Sequence, residues 1–389
     1  MLTLHFDLRD LFRAPRLALS LQRMWIMLAG LGMGWLIYAL LTYLGLIAAG
    51  GHPGELWRRF GILPLLAGGG AELPWYSWLL HGLGAVAAFA ITLLAHTAVA
   101  RAVYMSAKGE HFYSWRQAYN FAWRKFGAVI MTPLALGLLI LLFMGGGFLI
   151  GLLGRIPWAG ELGMALFTLL WFAMALLLIF IGLVFGTSLF LAPAIVATTD
   201  EDAFEAIFQL FALTWREPWR LLLYGFVSLF FGLAALGIFA AFCKEAVVLT
   251  NYLFAYFMGS NFADLANNGQ ALVQAWSASA EGIIFTLFRG FTPYLFFTQE
   301  FYYLPVQELA RPTVAVAGYL YACGLLLLGG WILSYGFATL DTGAVLSYLA
   351  LRKRKDGVNL LERKDKEEES EEEEVELGIS TEEPAAEQN

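Results

Sequence analysis

Three residues could carry polar chemistry inside an otherwise apolar chain: His81, His96 and Asp341. An ionisable side chain in a membrane helix is costly, so by default it marks an ion, proton or substrate pathway. His81 and His96 stand 15 residues apart. On one helix that is about 22 Å along the axis, too far to share a metal ion, and an interhelical hydrogen bond is the plainer use of each. Asp341 precedes Arg352 by 11 residues and opens the triplet Asp341-Thr342-Gly343. That pattern reads as a helix N-cap where the last apolar stretch breaks, with an ion or proton site as the competing reading. Five histidines and two cysteines give no metal-ligand spacing, and no nucleophile–base set or facing carboxylate pair emerges. The glycine runs at 68–70 and 145–147 lack the Lys-Ser/Thr that a phosphate loop needs. The sequence therefore predicts no enzyme, no cofactor and no metal centre.

The elements that must position these residues are long and apolar. Of 389 residues, 59% are hydrophobic and 14% charged, whereas a soluble domain carries about 25% charged residues. Such a chain has too little polar surface to face water, and a soluble fold is excluded. Five apolar stretches of the length a bilayer needs lie at 24–50, 77–104, 127–154, 163–194 and 219–242. A sixth lies in 313–351, read as a span at 314–335, a break at 334–336 and a further helix. The first run is too long for a signal-peptide core. Alternate sides carry 18 and 6 Lys+Arg, which predicts both termini inside a bacterial inner membrane. Trp25, Trp75, Trp78, Trp158 and Trp219 fall at span ends, where interfacial aromatics anchor. The expected fold is all-α: a six-helix integral membrane bundle with amphipathic cytosolic elbow helices.

Two elbows stand out. In 111–126, Phe112, Trp115, Tyr119, Ala122 and Phe126 recur at steps of three and four, with Arg116, Gln117, Asn120 and Arg124 opposite. In 202–217 the apolar stripe is Phe204, Ile207, Phe208, Phe211 and Trp215, with Glu205, Gln209 and Arg216 outward. Helices of this kind lie in the headgroup plane with the apolar stripe down. The N-terminus repeats the idea loosely, with Leu4, Leu8, Leu11 and Phe12 against Asp7, Arg9, Asp10 and Arg13, until Pro15 breaks it. Three tandem units follow as an expectation: 1–104, 109–199 and 200–351 in a membrane domain of 1–351, with an exported segment at 243–311. That segment reads as a re-entrant or surface-lying helix pair. Residues 352–364 form a basic juxtamembrane segment, and 365–389 a disordered acidic cytosolic tail with 12 of the 31 acids. Glycine pairs at 30/34, 147/151 and 182/186 suit close helix packing within the chain.

The stretch from Asp202-Ala203-Phe204-Glu205 to Trp215-Arg216-Glu217-Pro218-Trp219-Arg220 resembles the elbow of an uncharacterised group of bacterial polytopic membrane proteins. That group is similar in pattern to the membrane domain of some glycerophosphodiester phosphodiesterases. Tyr348, Leu349, Arg352, Asp356 and Gly357 look like an ending common there. The resemblance implies a six-helix domain without catalysis of its own; the enzyme domain is absent. The predicted role is a non-catalytic scaffold or accessory component, binding membrane lipids and a cytosolic protein partner through its tail, with no nucleic acid involved. Its expected interface anchors are Trp115, Trp123, Arg124, Trp215, Arg216, Trp219, Arg352, Lys353, Arg354 and Lys355. The alternative is a transporter or flippase-like carrier of a neutral or lipid-like substrate, its pathway lined by Asp341, His81 and His96.

Overall fold

Uninterrupted apolar runs satisfy their backbone groups internally only as helices, and the structure, a computed structural model, bears this out. It describes residues 3–66, 73–110, 112–287 and 312–363. Among them are thirteen helices and no strand. Six are long and apolar enough to cross a membrane: α3 (Leu21–Ala48), α5 (Trp75–Lys108), α7 (Phe126–Leu153), α9 (Thr168–Thr199), α11 (Pro218–Met258) and α13 (Pro312–Asp356). The chain is a multi-pass membrane protein. Trp215 and Trp219 are exposed at the end of the bundle where α9 stops and α11 starts, and Trp75 and Trp158 at the opposite end. The first is called the basic end here, because α13 finishes there in Arg352, Lys353, Arg354 and Lys355.

Short helices cluster at the basic end. They are α1 (Leu8–Leu11), α2 (Ala14–Ala18), α6 (Trp115–Arg124) and α10 (Ala203–Arg216). A capping box starts α6: the Ser114 hydroxyl accepts the Gln117 N–H at 3.2 Å, and the Gln117 side chain accepts the Ser114 N–H at 2.7 Å. Pro218, in the first turn of α11, stops α10 and starts the next helix at a single corner.

Small residues set the packing. A Cβ on Gly30 would lie 2.2 Å from that of Ala95, and one on Gly34 would lie 3.2 Å from the Ala88 carbonyl. The first glycine pair thus lets α3 press its backbone against α5. The pairs at 147/151 and 182/186 meet nothing within 4 Å. Their expected intramolecular use is therefore corrected: they lie on helix faces with no neighbour. Every residue at 191–200 of α9 and at 341–351 of α13 is buried, as is 93–105 of α5 apart from the half-buried His96. These three stretches form the core.

Two expectations about the last spans are overturned. No break occurs at 334–336; α13 runs unbroken for 45 residues. The small residues there serve contact, since Ser334 is wholly buried, its hydroxyl turned back to the Trp331 carbonyl of its own helix at 2.7 Å, and Gly336 faces Leu236 of α11. The fifth span does not stop at 242 but continues as helix to Met258. Within the segment expected as a helix pair, the chain then turns at Gly259 (φ 61°) and folds back as α12 (Ser260–Leu287) against α11 and α13. Tyr321 donates to Asn251 at 2.8 Å, and Asn268 packs onto Gly318. Trp276 of α12 accepts the Ile62 N–H at 2.8 Å and meets Trp57 of α4 (Pro53–Phe60) edge-on. The expectations for 288–311 and for the acidic tail lie outside the described residues.

Candidate functional site at the basic end

Helix α5 carries His96 into the core and α13 carries Asp341 to meet it. His96 Nδ1 lies 2.7 Å from Asp341 Oδ1, across 245 residues of sequence. The Asp341 side chain is 9% exposed, its second oxygen has no partner among the described residues, and Phe337 lies edge-on to the imidazole. Asp341 is therefore not an N-cap, because the helix is continuous around it. His81 does not join the pair. Its Nδ1 sits 3.3 Å from the Thr42 hydroxyl, and its ring packs on Tyr38 and Trp78. Of the three residues expected along one pathway, the structure brings together His96 and Asp341 and leaves His81 apart.

Arg101, counted among interfacial charges in the sequence, is wholly buried. It donates to the Ala197 carbonyl of α9 at 3.0 Å and stacks over Phe121 of α6 at 4.3 Å, tying three elements together. The apolar run continuing past it through Tyr104 and Met105 was the available sign. Tyr119 of α6 donates to the Ile26 carbonyl at 2.6 Å, and burial pushes its phenol up to about 12, so it remains a neutral donor at neutral pH. Lys125 bonds the carboxylate (2.7 Å) and carbonyl (2.8 Å) of Asp200. Asp200 is thus the left-handed end of α9 rather than part of the start of α10.

The elbows are turned differently from expectation. On α10 the buried residues are Ala206, Gln209, Leu210, Leu213 and Thr214, while Phe204, Phe208 and Trp215 are exposed. Gln209, expected outward, faces the core, where its carbonyl accepts the Tyr348 hydroxyl and its amide donates to Glu205 at 2.9 Å. On α6 the buried set is Ala118, Phe121 and Ala122, with Trp115 and Trp123 exposed and Trp123 stacked on Phe126. Each elbow therefore buries mostly small and aliphatic residues, with Phe121 on α6, and leaves large aromatics such as Trp115, Trp123, Phe204 and Phe208 exposed. On α1, Asp10 is buried rather than outward, accepting the Phe6 N–H at 2.6 Å. Arg124 and Arg216 are exposed, with Arg124 also against the Phe121 ring.

Between α10 and α13 lies a cleft of about 340 Å³, lined by Glu205, Phe208, Gln209, Arg216, Arg352, Lys355 and Asp356 among others. Arg352 bonds Asp356 at 2.9 Å, and Lys353 sits 3.7 Å over the Phe6 ring, away from the cleft lining. Among the described residues no group of three or more His, Cys, Asp and Glu is placed to hold a metal ion. The geometry defines a multi-pass α-helical protein with a polar pair in its core and a cationic cleft at one end. No family model, curated protein or solved structure matches the chain.

Proposed function

We propose that this is a non-catalytic scaffold or accessory component of a bacterial inner membrane, with both termini cytoplasmic. In this reading the basic end grips the cytoplasmic leaflet and the acidic tail is offered to a protein partner. The observation that carries it is the aromatic face of α10: Phe204 and Phe208 are exposed, and Trp215, edge-on to Phe180, leaves most of its surface exposed near Trp219, at the end where the basic residues gather. Aromatic side chains settle at the headgroup level, and each nearby Lys or Arg adds about 1 kcal/mol of attraction to an anionic surface. Trp115, Trp123 and Arg124 on α6 extend the same face. The resemblance of the α10 corner to polytopic domains without catalysis agrees with this reading.

Shaving intact spheroplasts with protease should leave residues 365–389 uncut, and deleting them should leave insertion and co-purifying lipid unchanged while a cytosolic partner is lost. Tail cleavage in intact spheroplasts, or failure of the shortened chain to insert, would overturn the reading.

One contact favours a second reading, a flippase-like carrier. His96 and Asp341 place two ionisable groups together within the spans, where such groups mark pathways. That reading expects translocation of a fluorescent lipid in proteoliposomes, abolished by Asp341→Asn at unchanged protein yield. Wild-type protein no faster than empty vesicles removes it.

A further inference from the structure

The cleft between α10 and α13 contains cations without adequate protein partners. The Lys355 side chain is 8% exposed, yet among the described residues its ammonium makes no hydrogen bond and its ion-pair partner, Asp356, is 3.9 Å away. A buried charge needs pairing or hydrogen bonds. Asp356 is already engaged at 2.9 Å by Arg352, whose own Nε is buried with no acceptor among the described residues. Arg216, on the opposite wall, has no ion pair among the described residues. Three cations and two acids, Glu205 and Asp356, line the cleft, which leaves one positive charge uncompensated. The floor is fixed, because the buried Tyr348 hydroxyl on α13 is bonded to Gln209 on α10. The rim is greasy: Phe208 is 61% exposed and Trp215 75%.

We propose that this cleft binds the headgroup of a singly charged phosphodiester lipid. Arg216, Arg352 and Lys355 converge on the phosphate, the excess charge is neutralised one for one, and Glu205 accepts from a headgroup hydroxyl. The acyl chains leave along the Phe208 and Trp215 rim. Guanidinium pairs suit phosphate because their N–H groups match its oxygens in a fork, and the Lys ammonium adds a point charge. The assignment deepens the proposed lipid-gripping role by naming the ligand class and its residues. It rests on that reading only for the leaflet involved.

The test is native mass spectrometry of the full chain in detergent. Phosphatidylglycerol, phosphatidylcholine and glycerol phosphate are added separately at matched concentration. Wild-type protein should retain one phosphatidylglycerol, and the double variant Arg216→Gln/Lys355→Gln should bind it about ten-fold more weakly or worse. Lys108→Gln, which removes a charge at the same end outside the cleft, should bind as wild type does. Melting temperature in the same detergent confirms that each variant is folded, and the single variant Arg216→Gln, on an exposed side chain, serves should the double variant unfold. Equal retention by folded variant and wild type, or equal binding of phosphatidylcholine, overturns the site. Glycerol phosphate binding as tightly as the lipid overturns the lipid as its source. Because these measurements are made in detergent, they are independent of the spheroplast result: cleft binding survives a reversed topology, and a correct topology survives an empty cleft.

Discussion

The seam joining α3, α5 and α13 and the leaf formed by α7 and the first part of α9 are both built from apolar helices, yet they pack differently, and only the end of α9 reaches the core. In the most apolar window of α5 44% of residues are buried inside the protein, against 6% in α7 and 11% in α9. Both regions contain glycines four apart, yet only Gly30 and Gly34 touch a neighbouring helix. The leaf opens instead into an apolar cleft of about 720 Å³, bounded by Gly147, Gly151, Met164 and Trp171 among others. Apolarity alone drives no helix together in lipid, where tails are as greasy as leucine. What separates the seam is the His96–Asp341 contact, the wholly buried Arg101 of α5, and glycines such as Gly30 that let backbones approach; buried hydroxyls occur in both regions. Association here follows polar contact and close fit, not hydrophobicity.

The largest expected effect tests that contrast directly. Gly30→Leu drives side-chain atoms into Ala95 and should cost well over the 1–3 kcal/mol typical of overpacking, lowering the melting temperature in detergent steeply or preventing a monodisperse preparation. Gly147→Leu, with open space around it, should melt as wild type does. Equal losses from both would mean that the leaf is as tightly packed as the seam. Next in size is Arg101→Leu. It removes a charged hydrogen bond to α9 and a stack on α6, for about 1.5–3 kcal/mol, whereas Arg155→Leu beside the leaf should stay within about 0.5 kcal/mol. Thermal unfolding of the pair in one detergent would decide it, and a neutral Arg101→Leu would remove that residue as a tie. Tyr348→Phe ranks third at about 1 kcal/mol, because Gln209 keeps its bond to Glu205.

The spans were legible because a run of about 20 apolar residues is a local signal that only a helix can answer in lipid. Their ends were not. Lys244 and Glu245 read as the start of a loop, yet α11 passes through them because α12 folds back to cover it through Phe254–Phe262 and α13 holds it through Asn251–Tyr321. The break placed at Ser334 and Gly336 treated small polar residues as punctuation, when their size is what allows α11 to pack there. Of the polar residues, His96 and Asp341 were both singled out, but their meeting depends on which helices are neighbours and how each is rotated, which spacing within one helix cannot reveal. Arg101 was missed for a related reason. A lone charge near a span end looks interfacial until a third helix is seen to cover it. The elbow stripes failed instructively as well: each was taken as one apolar face, and the fold buries a different, mostly small and aliphatic face while leaving most of the large aromatics exposed.

That division supplies the smallest effect and the sharpest use of the comparison. Trp219 is 82% exposed at the first turn of α11. If it anchors to headgroups, Trp219→Ala removes nothing the protein packs against, and melting in detergent should change by less than about 0.5 kcal/mol. In lipid nanodiscs the same variant should lose the interfacial contact and melt lower than wild type, with anionic and zwitterionic lipid showing the same drop, since an indole at the interface carries no charge. Tyr348→Phe should behave the opposite way, losing the same stability in detergent and in lipid because its partner Gln209 lies within the protein. If Trp219→Ala destabilises the detergent-solubilised protein as much as Tyr348→Phe does, its side chain is a packing residue. The aromatic face at the basic end would then be no more lipid-directed than the core of the seam.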